Sequence, residues 1–155
     1  MAIDAGDLAP DFSTQTDAGA PFSLGDLRGK TVVLYFYPRA DTPGCTVEAC
    51  GIRDEFAGFQ RVGAEVLGIS PDTVEAQAAF KAKYQLPFTL LADPDHAIAD
   101  LFGVWVLRQV QDREFMGVAR TTFLIGPDGR VQRVFRQVVP AEHAQQLLEA
   151  LATPA

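Results

Sequence analysis

Cysteine is nearly absent from this chain: Cys45 and Cys50 are the only two among 155 residues. Two thiols cannot build the multi-bridge framework of a small secreted domain, and a chain this long can bury a core without one. Positive charge is scarce as well. Thirteen Lys and Arg against twenty Asp and Glu leave a formal charge of −7. That balance excludes sequence-independent nucleic-acid binding and disfavours anionic membranes. No apolar run approaches the length of a membrane span. The acidic start, Met1-Ala2-Ile3-Asp4-Ala5-Gly6-Asp7, lacks the basic and apolar regions of a signal peptide. Repeats, low-complexity tracts and linkers are missing too. The expectation is one cytoplasmic domain over residues 1–155, with neither nucleic acid nor membrane as partner.

What is present reads as alternating strands and helices. Phe12–Thr16 and Phe22–Leu24 are short strands that pair across the turn Asp17-Ala18-Gly19-Ala20-Pro21. Gly25-Asp26-Leu27-Arg28-Gly29-Lys30-Thr31 is one residue short of a phosphate loop and precedes a strand, so that function is rejected. Thr31–Tyr37 is β-branched and aromatic without alternation, the mark of a central strand covered on both faces. A helix over Thr42–Phe59 follows, its core stripe running through Cys45, Ala49, Ile52, Phe56 and Phe59. Glu65–Ser70 is the next strand, and Asp72 or Thr73 caps a helix to Tyr84. After the strand Phe88–Leu91 come a brief helix to Leu101 and a hairpin joining Val104–Val110 to Glu114–Val118. A second hairpin joins Thr121–Ile125 to Arg130–Phe135 across Gly126-Pro127-Asp128-Gly129. The last helix starts at Pro140 and buries Ala144, Leu147, Leu148 and Leu151. This order predicts an α/β fold with a mixed central sheet.

The chemistry concentrates in Tyr35-Phe36-Tyr37-Pro38-Arg39-Ala40-Asp41-Thr42-Pro43-Gly44-Cys45-Thr46-Val47-Glu48-Ala49-Cys50. Thr42 suits a helix N-cap and Pro43 the position after it, which places Cys45 in the first turn. Unpaired backbone N–H groups and the helix dipole there favour a thiolate. By itself this reads first as a plain helix start. Cys50 adds a second thiol five positions on, about 140° around the helix and roughly 8.6 Å away between Cα atoms. A disulfide needs less than about 7 Å, so the two can bond only if the first turns unwind. Gly51 costs about 1 kcal/mol relative to alanine in a helix interior, and we read it as priming that opening.

Pro38-x-x-x-Thr42-x-x-Cys45 resembles the active-site signature of peroxiredoxins, and the longer stretch through Cys50 is similar to their bacterioferritin comigratory protein, or peroxiredoxin Q, subfamily. Pro10-Asp11-Phe12, Ser70-Pro71-Asp72, Phe102-Gly103-Val104-Trp105 and Arg120-Thr121-Thr122-Phe123-Leu124-Ile125 extend the resemblance along the chain. It implies a thioredoxin-like fold with flanking helices and an N-terminal β extension. It implies a thiol peroxidase acting on hydrogen peroxide and organic hydroperoxides, recycled by a thioredoxin-like or glutaredoxin-like dithiol, with no cofactor and no metal. Cys45 would be the peroxidatic thiolate and Cys50 the resolving thiol, forming an intramolecular disulfide, with Pro38, Thr42 and Arg120 completing the pocket. Arg120 would favour the anion and steady charge on the leaving oxygen. Thr42 would donate to one peroxide oxygen and accept from another group, and Pro38 would shield the sulfur from water.

Other readings are weaker. A thioredoxin-type disulfide oxidoreductase usually carries C-x-x-C, whereas four residues intervene here. A redox-sensing binding protein is the non-enzymatic rival. Two Cys and two His lack the spacing of a zinc site. His96 and His143 read as surface or capping residues, and Trp105, Phe115 and Met116 as core or hairpin packing. An internal disulfide needs no second chain, so a monomer suffices, with a dimer still open.

Overall fold

The computed structural model describes residues 3–152. Its centre is a five-stranded mixed sheet. β1 (Ser13–Gln15) and β2 (Pro21–Ser23) form a small antiparallel ribbon outside it, followed by a 3-10 turn over Leu24–Leu27. The sheet contains β3 (Thr31–Phe36), β4 (Ala64–Ser70), β5 (Thr89–Ala92), β8 (Thr121–Ile125) and β9 (Val131–Phe135). In spatial order it runs β5-β4-β3-β8-β9. β3, β4 and β5 are parallel, while β8 is antiparallel to both β3 and β9.

β3 sits in the middle and is covered on both faces, as its unbroken apolar run requires. Val32, Leu34 and Phe36 point into one core with Phe102 and Phe123. Val33, Tyr35 and Tyr37 point into the other, with Cys45, Ala49, Ile52, Phe59 and Phe80. The strand's period of two therefore sends its alternate residues to two separate cores. Gly68 of β4 lies so close to the Tyr35 ring that an added Cβ would come within 2.8 Å of it, and within 2.9 Å of Leu90. Only glycine fits beneath that tyrosine.

The predicted helix over 42–59 is in fact two, α1 (Pro43–Asp54) and α2 (Phe56–Arg61), broken at Glu55. The Glu55 N–H is shared between the Gly51 and Ile52 carbonyls at 3.3 and 3.2 Å, the tightening typical of a helix end. α3 (Val74–Tyr84) starts at Thr73, whose hydroxyl accepts from the Ala76 N–H, so Thr73 and not Asp72 is the cap. α4 (Ala97–Leu101) is the brief helix expected. α5 (His143–Ala152) begins three residues later than Pro140, because Val139 to Glu142 closes a separate turn.

β6 (Trp105–Val110) and β7 (Arg113–Val118) form a two-stranded ribbon apart from the central sheet. Of the three residues assigned to packing, Trp105 is half-buried and stacks on His96 at 3.9 Å. Phe115 and Met116 are instead 44% and 49% exposed. Consecutive residues of a strand point to opposite faces, so the outer half of this ribbon stands clear of the domain on both sides, and burial along β7 returns only at Gly117 and Val118. His96 is a surface residue at the start of α4, paired with Asp100 at 2.8 Å. No helix among the described residues is long and apolar enough to cross a membrane.

Candidate active site

The loop between β3 and α1 is held at several points before it reaches Cys45. The Tyr37 N–H continues the parallel ladder by bonding the Ile69 carbonyl at 3.0 Å. The Ala40 N–H donates to Asp72 at 2.8 Å, and the Ser70 hydroxyl donates to the same carboxylate oxygen at 2.6 Å. Ser70 in turn accepts from Gln77 of α3. Asp41 takes the left-handed conformation, φ 59°, and accepts from Lys83 at 2.9 Å and the Tyr84 hydroxyl at 2.8 Å. Tyr84 also serves the far end of α1: its carbonyl accepts from Arg53 Nη1 at 2.8 Å.

Thr42 occupies the N-cap position with extended backbone, and its carbonyl accepts the first helical bond from Thr46 at 2.8 Å. Its side chain does not cap, contrary to expectation; the hydroxyl donates to the Arg39 carbonyl at 2.9 Å. Pro43 has no N–H, so the Gly44 and Cys45 N–H groups open the helix with no side-chain cap. Pro38, Thr42 and Gly44 are half-buried, whereas Cys45 is only 1% exposed, deeper than a surface nucleophile would sit.

Arg120, in the link between β7 and β8, crosses to α1 and touches two groups there. Its Nη2 donates to the Cys45 sulfur at 3.4 Å and its Nη1 to Glu48 Oε1 at 2.8 Å. The absence of a side chain at Gly44 permits this path, since a Cβ there would lie 3.1 Å from Arg120 Nη2. Cys45 and Arg120, 75 positions apart, are thus brought into contact. Cys50 is half-buried on the same helix, and both thiols are free.

Glu48 was not anticipated. It lies one turn beyond Cys45, fully withdrawn from solvent, and its Oε2 has no hydrogen-bond partner among the described residues. Burial pushes its carboxyl up to about 7, despite the opposing Arg120 charge. Arg120 does not mirror that cost. Burial works against its charge, but Cys45 and Glu48 outweigh it and hold the guanidinium above its ordinary range. The 2.8 Å contact and the raised Arg120 value agree on a charged arginine; the carboxylate bears the strain of the site.

His143 corrects the sequence reading outright, being fully buried at the start of α5. Its Nε2 meets the Thr122 hydroxyl at 2.6 Å, its Nδ1 meets Gln146 at 3.1 Å, and Nε2 stands 3.9 Å from Glu48 Oε2. Burial, then the Arg120 charge, keep the imidazole below its ordinary range, hence neutral at pH 7. Tyr35 also faces this core, its hydroxyl without a partner among the described residues and its ionisation suppressed chiefly by burial. Among the described residues, no group of three or more His, Cys, Asp or Glu is placed to hold a metal.

Residues 5–134 match the AhpC/TSA family. Peroxiredoxin Bcp of Bacillus subtilis is 43% identical over 151 residues, 97% of this chain and 96% of that protein. Peroxiredoxin Bcp of Escherichia coli is 42% identical over 149 residues, 96% of each chain. Among solved structures, a mutant of Xylella fastidiosa PrxQ matches with a TM-score of 0.92 at 30% identity, covering 98% of this chain and 97% of that one. A structure concerned with the alkyl peroxide reduction activity of Xanthomonas campestris bacterioferritin comigratory protein matches with a TM-score of 0.89 at 33% identity, covering 96% and 98%.

Proposed function

The chain belongs to the AhpC/TSA family and is a thiol peroxidase of the peroxiredoxin class, and from that premise we propose that Cys45 attacks the peroxide and Cys50 resolves the product. The observation that carries this reading is the Arg120 guanidinium on the Cys45 sulfur. It sets a permanent cation beside the sulfur, at a helix start whose N–H groups are open, where charge is exchanged during attack. The sulfur takes the terminal oxygen of ROOH, the O–O bond breaks, and RO⁻ leaves as ROH after gaining a proton. Arg120 steadies the negative charge on that leaving oxygen. Because the Thr42 proton is already given to Arg39, the Thr42 oxygen faces the substrate as an acceptor for the peroxide O–H. This replaces the donor role expected from sequence. Pro38, Thr42 and Gly44 are half-buried around the buried Cys45, and a small two-oxygen group is the substrate this reading places among them.

Cys45 is left as a sulfenic acid. The Cys50 thiol condenses with it, releasing water and forming the Cys45–Cys50 disulfide, which an external dithiol then reduces. Hydrogen peroxide and organic hydroperoxides are the substrates, and a thioredoxin-like or glutaredoxin-like protein the reductant. Residues 1–155 act as one cytoplasmic domain, sufficient as a monomer. Rapid mixing of the reduced protein with hydrogen peroxide, followed by mass spectrometry of the Cys45–Cys50 peptide, tests the sequence of events. Loss of two hydrogens supports it; a persistent sulfenic acid with Cys50 free would overturn the resolving role.

The closure needs α1 to open, because an intact helix keeps the two Cα atoms roughly 8.6 Å apart. Gly51 tunes that step. A Cβ there would meet only Ala144 Cβ, at an ordinary 3.8 Å, so Gly51→Ala gains about 1 kcal/mol of helix stability without a clash. Disulfide formation is expected to slow about fivefold in that variant, while the first reaction with peroxide keeps its rate. Stopped-flow fluorescence resolves the two phases, and an unchanged second phase would show that opening does not limit closure.

A further inference from the structure

Glu48 lies between the two thiols in sequence, on the segment that must leave helical geometry for them to bond. We propose that Glu48 couples a proton to the redox cycle: expelled from its buried site when Cys45 and Cys50 join, it gives its proton to water, and it takes one back when reduction lets α1 refold. This inference rests on the intramolecular disulfide proposed above.

The geometry supplies the reason. One carboxylate oxygen has a single donor, Arg120 Nη1, and Arg120 divides itself between that oxygen and the Cys45 sulfur. The other oxygen has no donor among the described residues. The groups facing the carboxyl are Cys45 on α1, Arg120 from the β7–β8 link, His143 from α5 with Thr122 of β8 behind it, and Tyr35 from β3. Tyr35 stays neutral. The Nδ1 of His143 faces a Gln146 oxygen and so carries the ring's proton; its Nε2 accepts from the Thr122 hydroxyl, with none left to donate to Glu48. A buried carboxylate satisfied on one side only is better protonated.

Burial accordingly lifts the folded-state value of Glu48 to about 7, while exposure to water would return it to an ordinary carboxylate value near ~4.3. The folded value is the higher one. Glu48 therefore favours the closed helix most below the ordinary carboxylate range, and that support is lost as pH rises through about 7. His143 does not offset this, because Thr122 and Gln146 both lie outside α1 and remain its partners. Between those two limits the dithiol–disulfide equilibrium gains one extra power of proton concentration. It shifts tenfold more per pH unit than the thiols alone dictate, or about 30 mV for a two-electron couple.

Carbon-13 NMR of glutamate-labelled protein, with the Glu48 carboxyl assigned through bonds and confirmed by its loss in Glu48→Gln, reads the group directly in both redox forms. The expected midpoint is near 7 in the dithiol form and more than one unit lower in the disulfide form. Equal midpoints in a sample whose Cys45–Cys50 disulfide is proven by mass would overturn the coupling alone. A sample in which that disulfide never forms would overturn the resolving mechanism and this inference with it.

Discussion

Cys45→Ser is expected to abolish peroxide consumption, lowering the rate by roughly four orders of magnitude or more, on the scale seen when an enzyme's nucleophile is removed. A serine oxygen keeps its proton at neutral pH, and neither Arg120 nor the helix start can make it attack an O–O bond. The substitution is close in volume, so the fold should persist, with Arg120 still held by Glu48. Peroxide loss monitored with dithiothreitol as sole reductant gives the measurement. Cys50→Ser is the informative companion: Cys45 should still react once with peroxide, leaving a sulfenic acid that no neighbouring thiol converts. Turnover surviving in Cys45→Ser would point to a thioredoxin-type oxidoreductase using other chemistry. Oxidation without repeated turnover in the unaltered protein would favour a redox sensor.

Arg120→Met is expected to cost 10²- to 10³-fold in the reaction with peroxide, about what losing one donor to a developing oxyanion costs. It should also destabilise the fold, because Glu48 loses the one donor it has among the described residues. Breaking one side of a buried pair costs about 3–5 kcal/mol when the remaining charge stays ionised. Glu48 can escape part of that cost by taking a proton, since burial already holds it near 7. The loss should therefore be larger at pH 8 than at pH 6, the sign expected of a carboxyl whose folded value is raised. Urea denaturation at the two pH values checks this. In the double variant Arg120→Met/Glu48→Gln, stability should largely recover while activity does not. Recovery of both would make Arg120 a structural residue and remove it from the chemistry.

Much of the site was legible because local rules and the thiol motif agree. The unbroken run of β3 required two covered faces, and the helix start after Pro43 placed Cys45 where Arg120 now meets it. The contact itself spans 75 positions, so periodicity could not supply it; only the resemblance paired the two. Glu48 and His143 escaped because single charged or polar residues on amphipathic helices usually face water. One signal was available. Glu48 sits three positions after Cys45, beside Ala49 and Ile52 on the buried stripe, where an acidic residue needs a cation. The ribbon β6–β7 was legible as a hairpin, but the exposure of Phe115 and Met116 on it was not, since that depends on what the rest of the fold covers; the helix break at Glu55 was missed as well.

Tyr84 moors α1 fore and aft, through Asp41 before it and Arg53 near its close. When the intervening turns loosen, the two moorings limit how far the strand of chain between them can wander. The thiols then search a small volume instead of a random coil's, and their effective molarity toward each other stays high. On the mechanism proposed above, the same anchorage would give the loosened stretch a return address, its two ends being held to Tyr84 throughout the cycle.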